Sequence, residues 1–162
     1  MSLLVPLSCF SNEIPAGFYH ASQKENVPVR VLYAIALNES QAKTNLGRII
    51  AWPYSLNVRG KSFYFNTHEE LRTYIYELLR EGETSFDVGI AQINYYWHKD
   101  GFDSIDDLID PTKNLEYAAR YLKSHYDKTG DWWLSVGKYH APNNKRLASN
   151  YQKRVHKIWL TL

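Results

Sequence analysis

The sequence predicts a single α+β domain, mostly α, with one small β-hairpin set between helices. Three observations carry that prediction. Apolar residues recur at helical spacing in several separate stretches. Only the segment 51–65 departs from that period, with two short apolar runs around a glycine. The 162 residues fit one domain, and a chain that is 44% hydrophobic can fill a core.

Taken in order, five or six helices and one hairpin are expected. Residues 1–22 read as an N-terminal segment of the 1–162 domain, its first few residues open to being vector-derived. Pro28 suits the first position of a helix, and Val29, Leu32, Tyr33, Ala36 and Leu37 follow at helical spacing. Leu56-Asn57-Val58 and Phe63-Tyr64-Phe65 flank a Gly60 turn and read as two strands. Thr67 and Glu70 form a capping box before Leu71, Tyr74, Ile75 and Leu78, and Gly82 ends that helix. Ser104 with Asp107 caps a short helix through Leu108. Asp110-Pro111 opens a longer one, with Leu115, Ala118, Ala119, Leu122 and Tyr126 on one face and Gly130 past its end. Asp131 caps a helix from Trp132 towards Tyr139. A last helix spans 147–160, with Tyr151, Val155, Ile158 and Trp159 as its stripe.

Composition removes several classes of function. A lone Cys9 excludes a disulfide scaffold and reads as a buried free thiol. No run approaches the roughly 20 apolar residues of a bilayer span. The charges look mixed throughout, the net charge is only +2, and Lys and Arg form no block, which sets nucleic acid aside as a partner. The six His show no metal-ligand spacing with acidic partners, so neither a metal nor another cofactor is expected. Residues 1–10 lack the charged start of a secretory signal. A cytoplasmic protein and a mature exported form both stay open on that evidence. Thirteen Tyr among 24 aromatics suggest either a Tyr-rich core or a cleft lined for an amphipathic ligand.

One carboxylate stands out. Advancing roughly 100° per residue from Val29 places Glu39 near 280°, inside the apolar arc and close to Leu32 and Ala36. Ile35 at i−4 offers no cation, and Lys43 at i+4 falls past the expected helix end. Desolvation and the negative end of the helix dipole both favour a protonated carboxyl there. Two readings stay open: a rim Glu whose head reaches solvent, or a proton donor.

Four motifs in order bear on that choice. Ala36-Leu37-Asn38-Glu39-Ser40 resembles the Glu-Ser motif of lysozyme-like soluble lytic transglycosylases. Gly89-Ile90-Ala91-Gln92-Ile93-Asn94 resembles that family's Gly-Leu-Met-Gln-Ile-Asn. The run from Asn114 to Leu122 is similar to its third motif, an Asn followed by a helix with small residues. Gly137-Lys138-Tyr139-His140 stands where the family has Ala-Tyr-Asn. The resemblance covers 27–151 and implies a lysozyme-like fold. The stretch from Trp52 to Gly60 resembles a subgroup encoded with conjugation or type IV secretion genes, which implies partners in such an apparatus.

The resemblance implies cleavage of the β-1,4 bond between N-acetylmuramic acid and N-acetylglucosamine in peptidoglycan, without water. Glu39 would protonate the leaving oxygen and then take the proton of the C6 hydroxyl that attacks C1, giving a 1,6-anhydro end. A periplasmic or exported location follows from that substrate. Ser40 would bond substrate or fix Glu39, with back-bonding to the previous turn as the alternative. Gln92 and Asn94, as alternate residues of an extended segment, would bond sugar hydroxyls or acetamido groups while Ile93 points away. Gly89 would allow close backbone approach, Ile90 would form an apolar wall, and Tyr139 would place its hydroxyl on Glu39. Asn114 would tie its helix to a loop.

The departures matter as well. His140 replaces the usual Asn and would either keep a substrate contact or titrate near neutral pH. Ala91 replaces the usual Met. Asp87 is the one candidate for a second carboxylate, as a lysozyme-type hydrolase of the same bond would need; a loop residue bonding nearby N–H groups is the favoured reading. A non-catalytic wall-binding module is the other alternative. Trp52, Tyr54, Tyr64, Tyr95 and Trp97 could each serve sugar stacking or core packing.

Overall fold

The computed structural model describes residues 13–45 and 49–162. Residues 1–10 and the thiol expected at Cys9 lie outside them. The chain is mostly helical with small antiparallel sheets, as the α+β reading expects.

Helix α1 (Ala16–Glu25) was not foreseen. It has no side-chain cap and few apolar residues, yet Phe18 and Ala21 are buried. Most of it falls within the 1–22 segment, where no helix is expected, and Phe18 packs edge-on against Tyr33 in the core. Helix α2 (Val29–Ser40) follows with Pro28 as its N-cap rather than its first turn. Residues 31–37 are all buried, including Ala34, which lies outside the predicted arc. The stretch 31–37 is therefore covered on every side, as apolar-all-round helices are.

Two sheets follow. Strands β1 (Gln41–Lys43) and β2 (Ile49–Ala51) pair antiparallel, with Gln41 opposite Ala51. The predicted hairpin is β3 (Ser55–Val58) and β4 (Lys61–Tyr64), turned through Arg59 and Gly60, both at positive φ. It belongs to a four-stranded antiparallel sheet of order β4-β3-β5-β6, with β5 (Phe86–Val88) and β6 (Ile93–Asn94). Strands of two or three residues are too short to show a period of two, so neither was predicted.

Helix α3 (His68–Arg80) starts at the expected cap, where Thr67 Oγ1 accepts from Glu70 N at 3.2 Å. Glu70 reaches back to Asn66 N instead of closing the box on Thr67. Short α4 (Tyr95–His98) was missed. Helices α5 (Ile105–Ile109), α6 (Pro111–Thr129) and α7 (Trp132–His140) begin at the predicted caps Ser104, Asp110 and Asp131. Helix α8 (Lys145–Trp159) begins two residues before the expected 147, because Asn144 caps it.

The buried side chains form two clusters that share α2. One joins α2 to α1, the four-stranded sheet, α3, α5 and α6. The other sets Val31, Ala34 and Ile35 against Leu122, Val136, Tyr151 and Val155. The C-terminal end of α2 thus emerges where the two clusters meet. Among the described residues, no helix is long and apolar enough to cross a membrane.

Candidate active site

Glu39 occupies the last turn of α2, half-buried, at the wall of a cleft of about 630 Å³. Burial pushes its carboxyl up from 4.5 to about 7. The Tyr151 hydroxyl donates to Glu39 Oε1 and partly offsets this, and Arg154 acts in the same direction. The Asp87 charge adds to the rise.

Beside Glu39 lies the turn 89–92, whose polar backbone atoms are held by side chains from four elements. Gly89 N bonds Ser55 O, and Gly89 O accepts from Gln92 N and Ser55 Oγ. Ile90 O accepts from Ser40 Oγ at 2.6 Å, Ala91 O accepts from Tyr139 Oη at 3.0 Å, and Ala91 N donates to Asn114 Oδ1 at 3.0 Å. Asn114 also donates to Val88 O and Leu108 O, so its wholly buried amide ties α6 to the turn as expected. Gly89 is at φ +83°, and a Cβ there would sit 2.5 Å from Asn114 Nδ2. The close approach at Gly89 is therefore to Asn114.

The cleft lining includes Glu39, Asp87, Gln92, Asn94, Tyr139 and His140. Ser40, Gly89 and Ile90 stand behind it. Ser40 is buried, bonding both Ala36 O and Ile90 O, which is the back-bonding alternative plus a second anchor. Ile90 is also buried. Gln92 is not extended: at φ 47° it turns back, and its Nε2 donates to Ser55 Oγ and Gly89 O. Ile93 shares the lining as well, so strict alternation fails at this turn.

Two further expectations are corrected. Tyr139 does not hold Glu39; its hydroxyl is committed to Ala91 O, and Tyr151 supplies the donor. Asp87 is not a loop residue on backbone N–H groups. It lies on β5, opens into the cleft and accepts from Asn94 Nδ2 at 2.8 Å. Burial raises the Asp87 carboxyl, against that hydrogen bond and the nearby His140 and His98. Burial, helped by Arg154, lowers His140, whose ring lies parallel on Tyr151 at 4.6 Å.

Residues 17–160 match the family model of the transglycosylase SLT domain. The chain belongs to that family. No curated protein sequence matches it. The fold is thus the lysozyme-like fold of SLT domains, and peptidoglycan is the substrate class.

Within this SLT domain, sequence reasoning missed Tyr151, Ser55, Tyr121, Pro142 and Asn143. One signal pointed to Tyr151: a Tyr in a buried stripe needs a partner for its hydroxyl. Among the aromatics open to sugar stacking, only Trp97 lines the cleft, and it is 77% exposed. Trp52 bonds Phe65 O, Tyr54 meets His68, Tyr64 bonds Gln41 O and Tyr95 stacks on Phe86.

Proposed function

We propose that this SLT domain is a peptidoglycan lytic transglycosylase with Glu39 as its single acid and base. The supporting observation is a carboxyl held at about 7 on the wall of a sugar-sized cleft. Protonated Glu39 gives its proton to the glycosidic oxygen as the C1–O bond breaks. The substrate's N-acetyl group stabilises the cation at C1. The C6 hydroxyl then attacks C1, its proton passes to Glu39, and the acid is restored without water. A value near 7 suits a group that must both give and take a proton at neutral pH.

Gln92 donates inward through Nε2, which leaves Oε1 to accept from a sugar hydroxyl or acetamido N–H. Trp97 offers an indole face to a sugar ring, and Asn94, Tyr139 and His140 complete the lining. Such an enzyme works where the wall is, in the periplasm or outside the cell. The resemblance of 52–60 supports local wall opening for a conjugation or secretion apparatus.

Asp87 in the same cleft favours one second reading, a lysozyme-type hydrolase. Mass spectrometry of muropeptides released from purified sacculi separates the two. Anhydro ends, lost in Glu39→Gln, are expected; reducing ends that vanish in Asp87→Asn would establish the hydrolase instead. Wall clearing that survives Glu39→Gln would overturn both.

A further inference from the structure

The net charge of +2 conceals a strong separation of charge. Residues 132–162 hold six Lys and Arg and no Asp or Glu, a balance of +6, so residues 1–131 carry −4. Elsewhere seven Lys and Arg are in ion pairs, among them Lys24–Glu116, Arg59–Glu83 and Lys113–Asp107. On α8, Lys145, Arg146, Lys153 and Lys157 are exposed, and among the described residues none of them is in an ion pair. Arg146, Lys153 and Lys157 fall within ~40° of one another on the helix and form a row roughly 16 Å long. Like charges at i and i+4, as at Lys153 and Lys157, disfavour a helix. Nothing on α8 offsets this, which directs attention to an anion outside the chain.

The N-terminal end of α8, where the row begins, adjoins the cleft. Pro142 and Asn143, just before α8, line the cleft, and Arg154 lies over the Tyr151 ring at 5.4 Å. A membrane surface fits poorly, because an interfacial helix needs a free apolar face. The apolar face of α8 is spent on Tyr151 and Val155, both fully buried.

We propose that the outer face of α8 binds the free carboxylates of peptide stems on the glycan strand that the cleft takes up. The inference rests on the peptidoglycan reading of the cleft and extends it to a charged subsite. The sugars supply the uncharged part of the polymer to Trp97 and Gln92, and the stems supply its anions to Arg146, Lys153 and Lys157.

Sedimentation with purified sacculi tests this, using Glu39→Gln protein so that the wall is not consumed. The comparison is with the same protein carrying Arg146→Gln, Lys153→Gln and Lys157→Gln. On stem-bearing sacculi the added changes should weaken binding roughly tenfold at low salt, three exposed charge contacts at roughly two- to threefold each. The deficit should shrink as salt rises. On glycan stripped of stems by an amidase, the two proteins should bind alike. Equal binding to stem-bearing sacculi, or equal loss on both substrates, would overturn the proposal. So would loss confined to phosphatidylglycerol vesicles or DNA, which would assign the row to those partners. If the unsubstituted chain cleaves sacculi but the row makes no difference, this inference alone fails. If the chain neither cleaves sacculi nor binds stripped glycan, the cleft reading fails first. The three residues are exposed, so an unchanged melting temperature is expected and checks the fold.

Discussion

Glu39 ionises near 4.5 in an unfolded chain and near 7 in this fold. The folded state therefore binds more protons between those values, and stability falls as pH rises through that window. Above 7 the cost is roughly 3 kcal/mol. Glu39→Gln should raise thermal stability at pH 8, with the gain disappearing below about 4.5; melts across pH check this. The neighbours act in opposite directions. The Tyr151 hydroxyl favours the carboxylate and the Asp87 charge disfavours it. Tyr151→Phe should shift the alkaline limb of the kcat/KM profile upward, and Asp87→Asn should shift it downward. Movement of both limbs in the same direction would refute this account of the site. Asn38-Glu39-Ser40 marked the position in the sequence. The donor that holds the carboxyl was not legible, because the motif points to Tyr139 while Tyr151 reads as one more residue of an apolar stripe. Which hydroxyl arrives depends on how α7 and α8 pack.

The turn 89–92 is the element on which the cleft depends. Its carbonyls and N–H groups are satisfied by Ser40, Ser55, Asn114 and Tyr139, each from a different part of the fold. Buried bonds of this kind contribute about 1 kcal/mol each, and more is lost when one partner is left alone. Gly89→Ala combines a positive φ with a clash on Asn114 and should cost roughly 2–4 kcal/mol in urea unfolding. Adding Asn114→Ala removes every atom in that clash. The double variant should therefore lose less than the sum of the singles. Strict additivity would show that the two do not meet. Caps made α3, α5, α6 and α7 readable, since Thr67, Ser104, Asp110 and Asp131 each accept from the predicted first turn. Helix α1, capped by no side chain, and the two- and three-residue strands left no such signal.

At the scale of the whole molecule, α2 is common to both buried clusters. Neither cluster can be opened without uncovering it, so one cooperative unfolding transition is expected. Backbone amides of residues 32–37 should show the slowest hydrogen exchange, near the global stability, while those of α4 exchange faster. Exchange measured by mass spectrometry checks the order, and an early-opening α2 would contradict it. The charge separation is also a property of the whole. A reading of mixed charge along the chain missed it, because the cations of α8 form a row only once the helix is wound.

The bond from Tyr151 to Glu39 spans 112 residues of chain. A ribosome releases Glu39 early, and α2 can wind at once. The carboxyl has no partner on α8 until the final helix docks. Glu39 is thus without the hydroxyl that holds its carboxyl until α8 has been made and has docked. In a domain whose family acts on peptidoglycan, such lateness of assembly keeps the site unfinished until the fold is nearly closed.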